Sequence, residues 1–439
     1  MRKTTPLITG TIILTVTGLI TRIIGFFYRI FLSKTFGEEG MGIYQLIAPV
    51  LALSFSFCVA GIQTSISKYI ASEPSTHNYK YSFHVLLSGI GLSMILSLFL
   101  SNIIYLYSVP IATYMLLEVR CAPLLRIIAL SIPFASLHSC INGYFYGIKK
   151  ASLPAVTQLA EQIVRVGTVY YLYYLSQQKG YLLTINCAVI GLVLGEIMSM
   201  LISIIAIYIR FFHVRSQISL PSISEYYTAS GNIFSLAAPL SANRIILNLL
   251  QSIEAVYIPN SLMKHGLSSE AALSIYGVLT GMALPLILFP SAITNSLSVM
   301  LLPTISEAEA VGNAKRIKHA VDKSIQYCLI LGIVCTCGFL LFGNYLGYLL
   351  FSSNAVGNYI RTLSFICPFI YISTTLGSIL HGLGKTNLTF CFSLITLSIR
   401  LLFVFFAIPV LGIQGYLWGL LISQLLHTWL HIIALKKII

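Results

Sequence analysis

Charge is what this sequence has least of: only 9% of its 439 residues are Asp, Glu, Lys or Arg. A water-facing globular surface uses roughly 25%, so the chain cannot cover one. Its length would accommodate two or three soluble domains, yet no polar stretch is long enough to fold as one. A large acidic loop is missing, and nothing resembles a nucleophile–base pair, so hydrolysis and glycosyl transfer have no machinery. We therefore expect no enzyme and no cofactor. The nine cysteines are an odd number spread mostly through apolar runs, as for Cys58, Cys140 and Cys367. That distribution suits small core residues rather than a disulfide framework. Cys335 and Cys337 lack further metal ligands, and His427 and His431 share a helical face without a third. The stretch His381 to Thr386 ends like a phosphate-binding loop, but Ile379 stands where that motif needs glycine and no strand precedes it.

What the chain has is apolar residues, 57% of the total. Runs near the ~20 residues that span a bilayer recur throughout. The pattern predicts an all-α integral membrane protein with spans at roughly 7–32, 43–68, 84–108, 121–146, 155–176, 181–209, 231–257, 272–302, 324–351, 359–383, 388–410 and 413–435. Met1-Arg2-Lys3 precedes an apolar run that contains Arg22 and Arg29, with no small-residue cleavage site. The run reads as a retained first helix. If the N-terminus is cytoplasmic, fifteen Lys and Arg fall in inside segments. Only Lys34, Arg120, Lys179 and Lys264 fall outside. This bias places both termini inside. It also accounts for much of the net charge of +14 through anionic membrane lipids, with no need for nucleic acid. Tyr170, Tyr171, Tyr173 and Tyr174 cluster at the outer end of the fifth span, where amphipathic rings form an interface belt.

The chain repeats itself. A shift of 235 positions lays Arg126 on Arg361, Pro133-Phe134 on Pro368-Phe369, Gly147 on Gly382, Lys150 on Lys385 and Arg165 on Arg400. A shift of 232 pairs Ile43-Tyr44 with Ile275-Tyr276, and one of 222 pairs Arg22-Ile23-Ile24 with Arg244-Ile245-Ile246. Six spans per half is an even number, so the halves, 1–215 and 216–439, have the same orientation. An axis along the membrane normal should relate them, as in transporters that alternate access by rocking.

Seven arginines fall inside the predicted spans: Arg22, Arg29, Arg126, Arg165, Arg244, Arg361 and Arg400. Only Glu161, Glu196 and Glu254 oppose them. An arginine at mid-bilayer costs about 2.5–3.5 kcal/mol on insertion scales, so this excess marks a wet site for an anion. Arg126 and Arg361 lie near helix starts and can snorkel. Glu161 and Arg165 share a helix face and can pair. Arg22 and Arg29 project from one stripe with Gly18 and Gly25, and Arg244 is the repeat mate of Arg22, placed on the opposite half. These three, with Arg165 and Arg400, are the candidate anion ligands; an arginine fork suits a pyrophosphate. Glu254 either pairs with an arginine from another helix or couples a cation, sodium or proton. Glu196 reads as structural. Pro285 and Pro290 predict a kink in the eighth span.

Residues 17–44, from Thr17-Gly18-Leu19-Ile20-Thr21-Arg22 to Gly42-Ile43-Tyr44, resemble the first helix and loop of the stage V sporulation protein B group. Asn142-Gly143-Tyr144-Phe145-Tyr146-Gly147 matches that group's fourth helix end. The group belongs to the polysaccharide exporters of the multidrug/oligosaccharidyl-lipid/polysaccharide (MOP) flippase superfamily. The resemblance implies a MATE-like pair of six-helix lobes enclosing a V-shaped cavity. It also implies flipping of undecaprenyl-pyrophosphate-linked sugars or peptidoglycan precursor across the bacterial plasma membrane. Related lipid II flippases carry an S-R-x-x-G-x-x-R pattern here. Thr21-Arg22-Ile23-Ile24-Gly25 follows it, while Tyr28 occupies the second arginine position and Arg29 comes one later. Relatives often have fourteen helices, against twelve read here. A cation-coupled drug exporter of the same fold and a non-transporting envelope or sporulation scaffold are the competing expectations.

Overall fold

A chain without water to satisfy its backbone must close its hydrogen bonds internally, and helices do so within each segment. The computed structural model describes residues 6–72, 79–180, 182–212, 214, 219–220 and 222–438, and among them no strand occurs. Arg2, Lys3 and the expected boundary at 215/216 lie outside the described residues. Twelve helical segments follow the expected order: α1 (6–36), α2 (38–72), α3 (Tyr79–Leu106), α4 (Cys121–Gly147), α5 (Ser152–Lys179), α6 (Asn186–Phe212), α7 (Ile223–Lys264), α8 (269–310), α9 (Ala314–Phe351), α10 (Asn354–Gly382), α11 (Thr386–Leu411) and α12 (Ile413–Ile438). Among the described residues ten helical stretches are long and apolar enough to cross a membrane, with α1 and α2 counted as one, and α5 is not among them. The polar stretch around Glu161, Gln162 and Arg165 sets α5 apart.

Helices α1 and α2 run together except at Gly37, whose φ of 70° and ψ of −176° only glycine adopts without strain. Helix α8 breaks at Phe289–Pro290, where the proline has no N–H to continue the ladder. The Tyr371 hydroxyl donates to the Ile287 carbonyl at 2.9 Å beside that break.

By its internal contacts the chain forms two compact units. The first comprises residues up to Gly25 and Leu46–Leu249; the second comprises Phe26–Gln45 and Leu250–Ile439. The first helix of each half is thus divided between units, α1 after Gly25 and α7 after Leu249. Under the 222-residue repeat shift these two points differ by only two positions.

In the first unit, Ile62, Ile66, Val85, Ile141, Tyr144, Ile233 and Ala237 form one buried apolar cluster. This cluster fixes the early part of α7 against α2, α3 and α4. Gly61 makes the approach possible, since a Cβ there would collide with the Ala237 carbonyl and the Ser241 hydroxyl. In the second unit, the start of α2 meets the start of α8, its repeat mate, through Gly42 and Gly277. The Ser274 and Ser353 hydroxyls donate to opposite oxygens of Glu38 at 2.7 and 2.6 Å, tying that crossing to α9's end.

Candidate functional site

Helix α6 carries Gly191-Leu192-Val193-Leu194-Gly195, a small-xxx-small stripe that lets two helix backbones touch. A Cβ on Gly191 would lie 2.8 Å from the Arg165 carbonyl oxygen, and one on Gly195 the same distance from that of Glu161. This contact delivers Glu196, the next residue, to the polar face of α5. There His138 Nε2 of α4 bonds Glu196 Oε2 at 2.8 Å. Arg165 donates to Glu161 one turn back on α5. Asn142, one turn after His138, reaches Thr157 Oγ1 at 3.3 Å, and Ser199 donates to the Thr157 carbonyl at 2.9 Å. One potential ligand atom each from His138, Glu161 and Glu196 lies within 4.8 Å of the others.

The second unit repeats half of this arrangement. Arg400 of α11, the repeat mate of Arg165, donates through Nη2 to Glu254 Oε2 of α7 at 2.5 Å. The Tyr416 hydroxyl of α12 donates to Glu254 Oε1 at 2.9 Å. Both carboxylate oxygens are therefore occupied, and Glu254 is 5% exposed. The Glu254–Arg400 pair lines a cavity of about 380 Å³ whose wall is mainly Ile and Leu, with Gln251, Gln424 and His427 among its other polar groups. His427 and His431 stack edge to face at 4.5 Å, and no third metal ligand joins them among the described residues.

Three intramembrane carboxylates were expected to face seven arginines, and all three now have partners. Arg165 and Arg400, read from the sequence as anion ligands, are ion-paired with Glu161 and Glu254. Arg126 donates to Ser108 Oγ at 2.9 Å near a helix start. Arg22 and Arg244 are exposed and Arg29 is partly exposed. None of these three forms a hydrogen bond or ion pair with the described residues. Arg22 and Arg244 both belong to the first unit, since residues 223–249 pack with α2 and α3, whereas Arg29 belongs to the second. Sequence reasoning passed over His138 and Tyr416. A lone intramembrane carboxylate requires a partner, so Glu196 was itself the signal to search α4 for one.

Helix order and apolar length define a multi-pass helical membrane fold. Comparison with solved structures gives the same class. The chain superposes on the lipid II flippase MurJ in its inward closed conformation with a TM-score of 0.75 at 16% identity, covering 97% of this chain and 87% of that one. An inward-facing multidrug resistance MATE transporter of the MOP superfamily gives 0.68 at 15% identity, covering 95% and 96%. Residues 7–309 match the polysaccharide biosynthesis protein family, and the chain belongs to that family. Stage V sporulation protein B of Bacillus subtilis (strain 168) is 27% identical over 433 residues, 98% of this chain and 83% of the relative.

Proposed function

We propose that this protein translocates an anionic undecaprenyl-pyrophosphate-linked oligosaccharide or peptidoglycan precursor from the inner to the outer leaflet of a bacterial plasma membrane, by alternating access. One observation carries the reading: Arg22, Arg29 and Arg244 lie in apolar helices with no carboxylate left to neutralise them, because Glu161, Glu196 and Glu254 are engaged elsewhere. An unpaired intramembrane guanidinium is costly, and a pyrophosphate offers the bidentate oxygens it fits. We assign substrate binding to these three arginines. Arg165 and Arg400 hold carboxylates in place, and Glu254 is locked by Arg400 and Tyr416 rather than open to a coupling sodium ion. Both termini are cytoplasmic in this account, with the basic inner segments against anionic lipid headgroups. The surplus of unpaired positive charge disfavours a cationic drug as cargo.

Native mass spectrometry of the protein in nanodiscs tests the assignment. An undecaprenyl-pyrophosphate sugar should be retained where the uncharged prenol is not, and Arg22→Ala with Arg244→Ala should release it. Equal retention of both lipids, or retention by the double variant, would remove the basis for the reading.

A further inference from the structure

The two arginine–glutamate pairs differ in charge, and the difference points to a second ligand. In the second unit, Glu254 and Arg400 sum to zero, and Tyr416 completes the carboxylate without adding charge. In the first unit, Arg165 neutralises Glu161, but Glu196 stands one residue past the α5–α6 contact with only His138 against it. With His138 neutral this cluster carries one negative charge in surroundings that tolerate none.

One bound cation balances it, and its chemistry selects which. Sodium prefers a shell of oxygens, whereas one of the three converging ligands is an imidazole nitrogen. A divalent transition metal would accept that nitrogen, yet it would leave the cluster with a positive charge and compete with Arg165 for Glu161. A proton balances the charge, needs no space, and is what an imidazole–carboxylate contact at 2.8 Å shares.

Asn142 suits this role. It is 8% exposed, its Nδ2 lies 3.5 Å from His138 Nδ1, and its Oδ1 has no hydrogen-bond partner. The amide nitrogen can donate to the neutral ring. Turned over, the amide oxygen can accept from the imidazolium Nδ1–H. The same side chain therefore serves both protonation states. The facing groups are His138 and Asn142 from α4, Thr157, Glu161 and Arg165 from α5, and Glu196 and Ser199 from α6. Helix α1 passes α5 at Gly25 and Gln162, and Arg22, the charged residue of its first-unit part, bonds to none of them. Among the described residues no further charged side chain bonds to His138, Glu161 or Glu196.

We propose that His138, Glu161, Glu196 and Arg165 form a one-proton binding site within the first unit. The proposal rests on the flippase reading only for what the bound proton drives. Potentiometric proton uptake by the protein in nanodiscs, without substrate, between about pH 8 and about pH 5 tests it. Glu196→Gln and Glu161→Gln should each take up one proton per chain fewer than wild type, because either change balances the cluster without a proton. His138→Gln should keep that proton, now shared by the two carboxyls. Loss of one proton in His138→Gln with none lost in the glutamine variants would mean an isolated histidine and overturn the proposal. So would uptake equal in all four proteins, or release of the proton on adding sodium or zinc at fixed pH. Flipping that persists while the uptake pattern fails sinks this site alone. A correct uptake pattern in a protein that flips nothing sinks the flippase reading alone.

Discussion

Replacing Gly195 with alanine tests the helix contact on which the first unit's polar cluster depends. The added Cβ would lie 2.8 Å from the Glu161 carbonyl oxygen, 3.2 Å from Glu161 Cγ and 3.5 Å from Arg165 Cβ. The first of these is a backbone atom inside a helix, so relief requires moving α6 away from α5. Overpacking of this kind costs about 1–3 kcal/mol. Alanine recovers about 0.4–1 kcal/mol through the unfolded chain, leaving a net loss of about 1–2 kcal/mol, or roughly a five- to thirtyfold drop in the folding equilibrium. Gly18→Ala is the internal control, since a Cβ there meets nothing within 4 Å; it should leave stability unchanged or raise it slightly. Equilibrium unfolding in mixed micelles reads both variants. If Gly195→Ala were as stable as Gly18→Ala, the close α5–α6 approach, and the placement of Glu196 that follows from it, would be refuted.

Other substitutions separate structural from substrate-binding charges. Arg400→Ala strands the buried Glu254 carboxylate and should cost about 3–5 kcal/mol, whereas Arg400→Met combined with Glu254→Gln should recover most of it; thermal unfolding compares them. Tyr416→Phe removes one donor to that carboxylate and should destabilise by about 1.5–3 kcal/mol in the same melt. Arg22→Ala and Arg244→Ala alter exposed side chains, so stability should stay within about 0.5 kcal/mol of wild type while pyrophosphate-lipid binding falls, as lipid titrations in nanodiscs would show. Gly42→Ala forces a Cβ onto the Leu273 carbonyl and should lower the unfolding midpoint with no direct effect on either ion-paired cluster.

Much of this architecture could be read from the chain alone, for physical reasons. Apolar length and the absence of alternatives in lipid fix where helices occur, so the helical spans were visible. The 235-residue shift that matched Arg165 to Arg400 located two arginines that the fold uses alike, each against a glutamate, partly buried Glu161 and buried Glu254. Which glutamate each would take was hidden. Glu161 is local to Arg165, but Glu254 reaches Arg400 from 146 residues away. That pairing is decided by how α7 packs against α11, which no local pattern encodes. His138 was hidden for the same reason: its partner Glu196 lies two helices on, 2.8 Å away where α4 packs against α6. The division of α1 and α7 between units also escaped the sequence. Apolar residues mark burial without naming the neighbour, and it is glycines such as Gly61 and Gly42 that select it.

Translocation itself is the most direct test of the account. Purified protein in proteoliposomes carrying a fluorescent undecaprenyl-pyrophosphate sugar should speed exchange of the lipid between leaflets over protein-free vesicles, as read by a membrane-impermeant quencher. Each charge-assisted contact to phosphate is worth about 1.5–3 kcal/mol, so Arg22→Ala and Arg244→Ala should each slow this exchange about ten- to hundredfold. No acceleration by the wild-type protein, or undiminished exchange in both arginine variants, would contradict it.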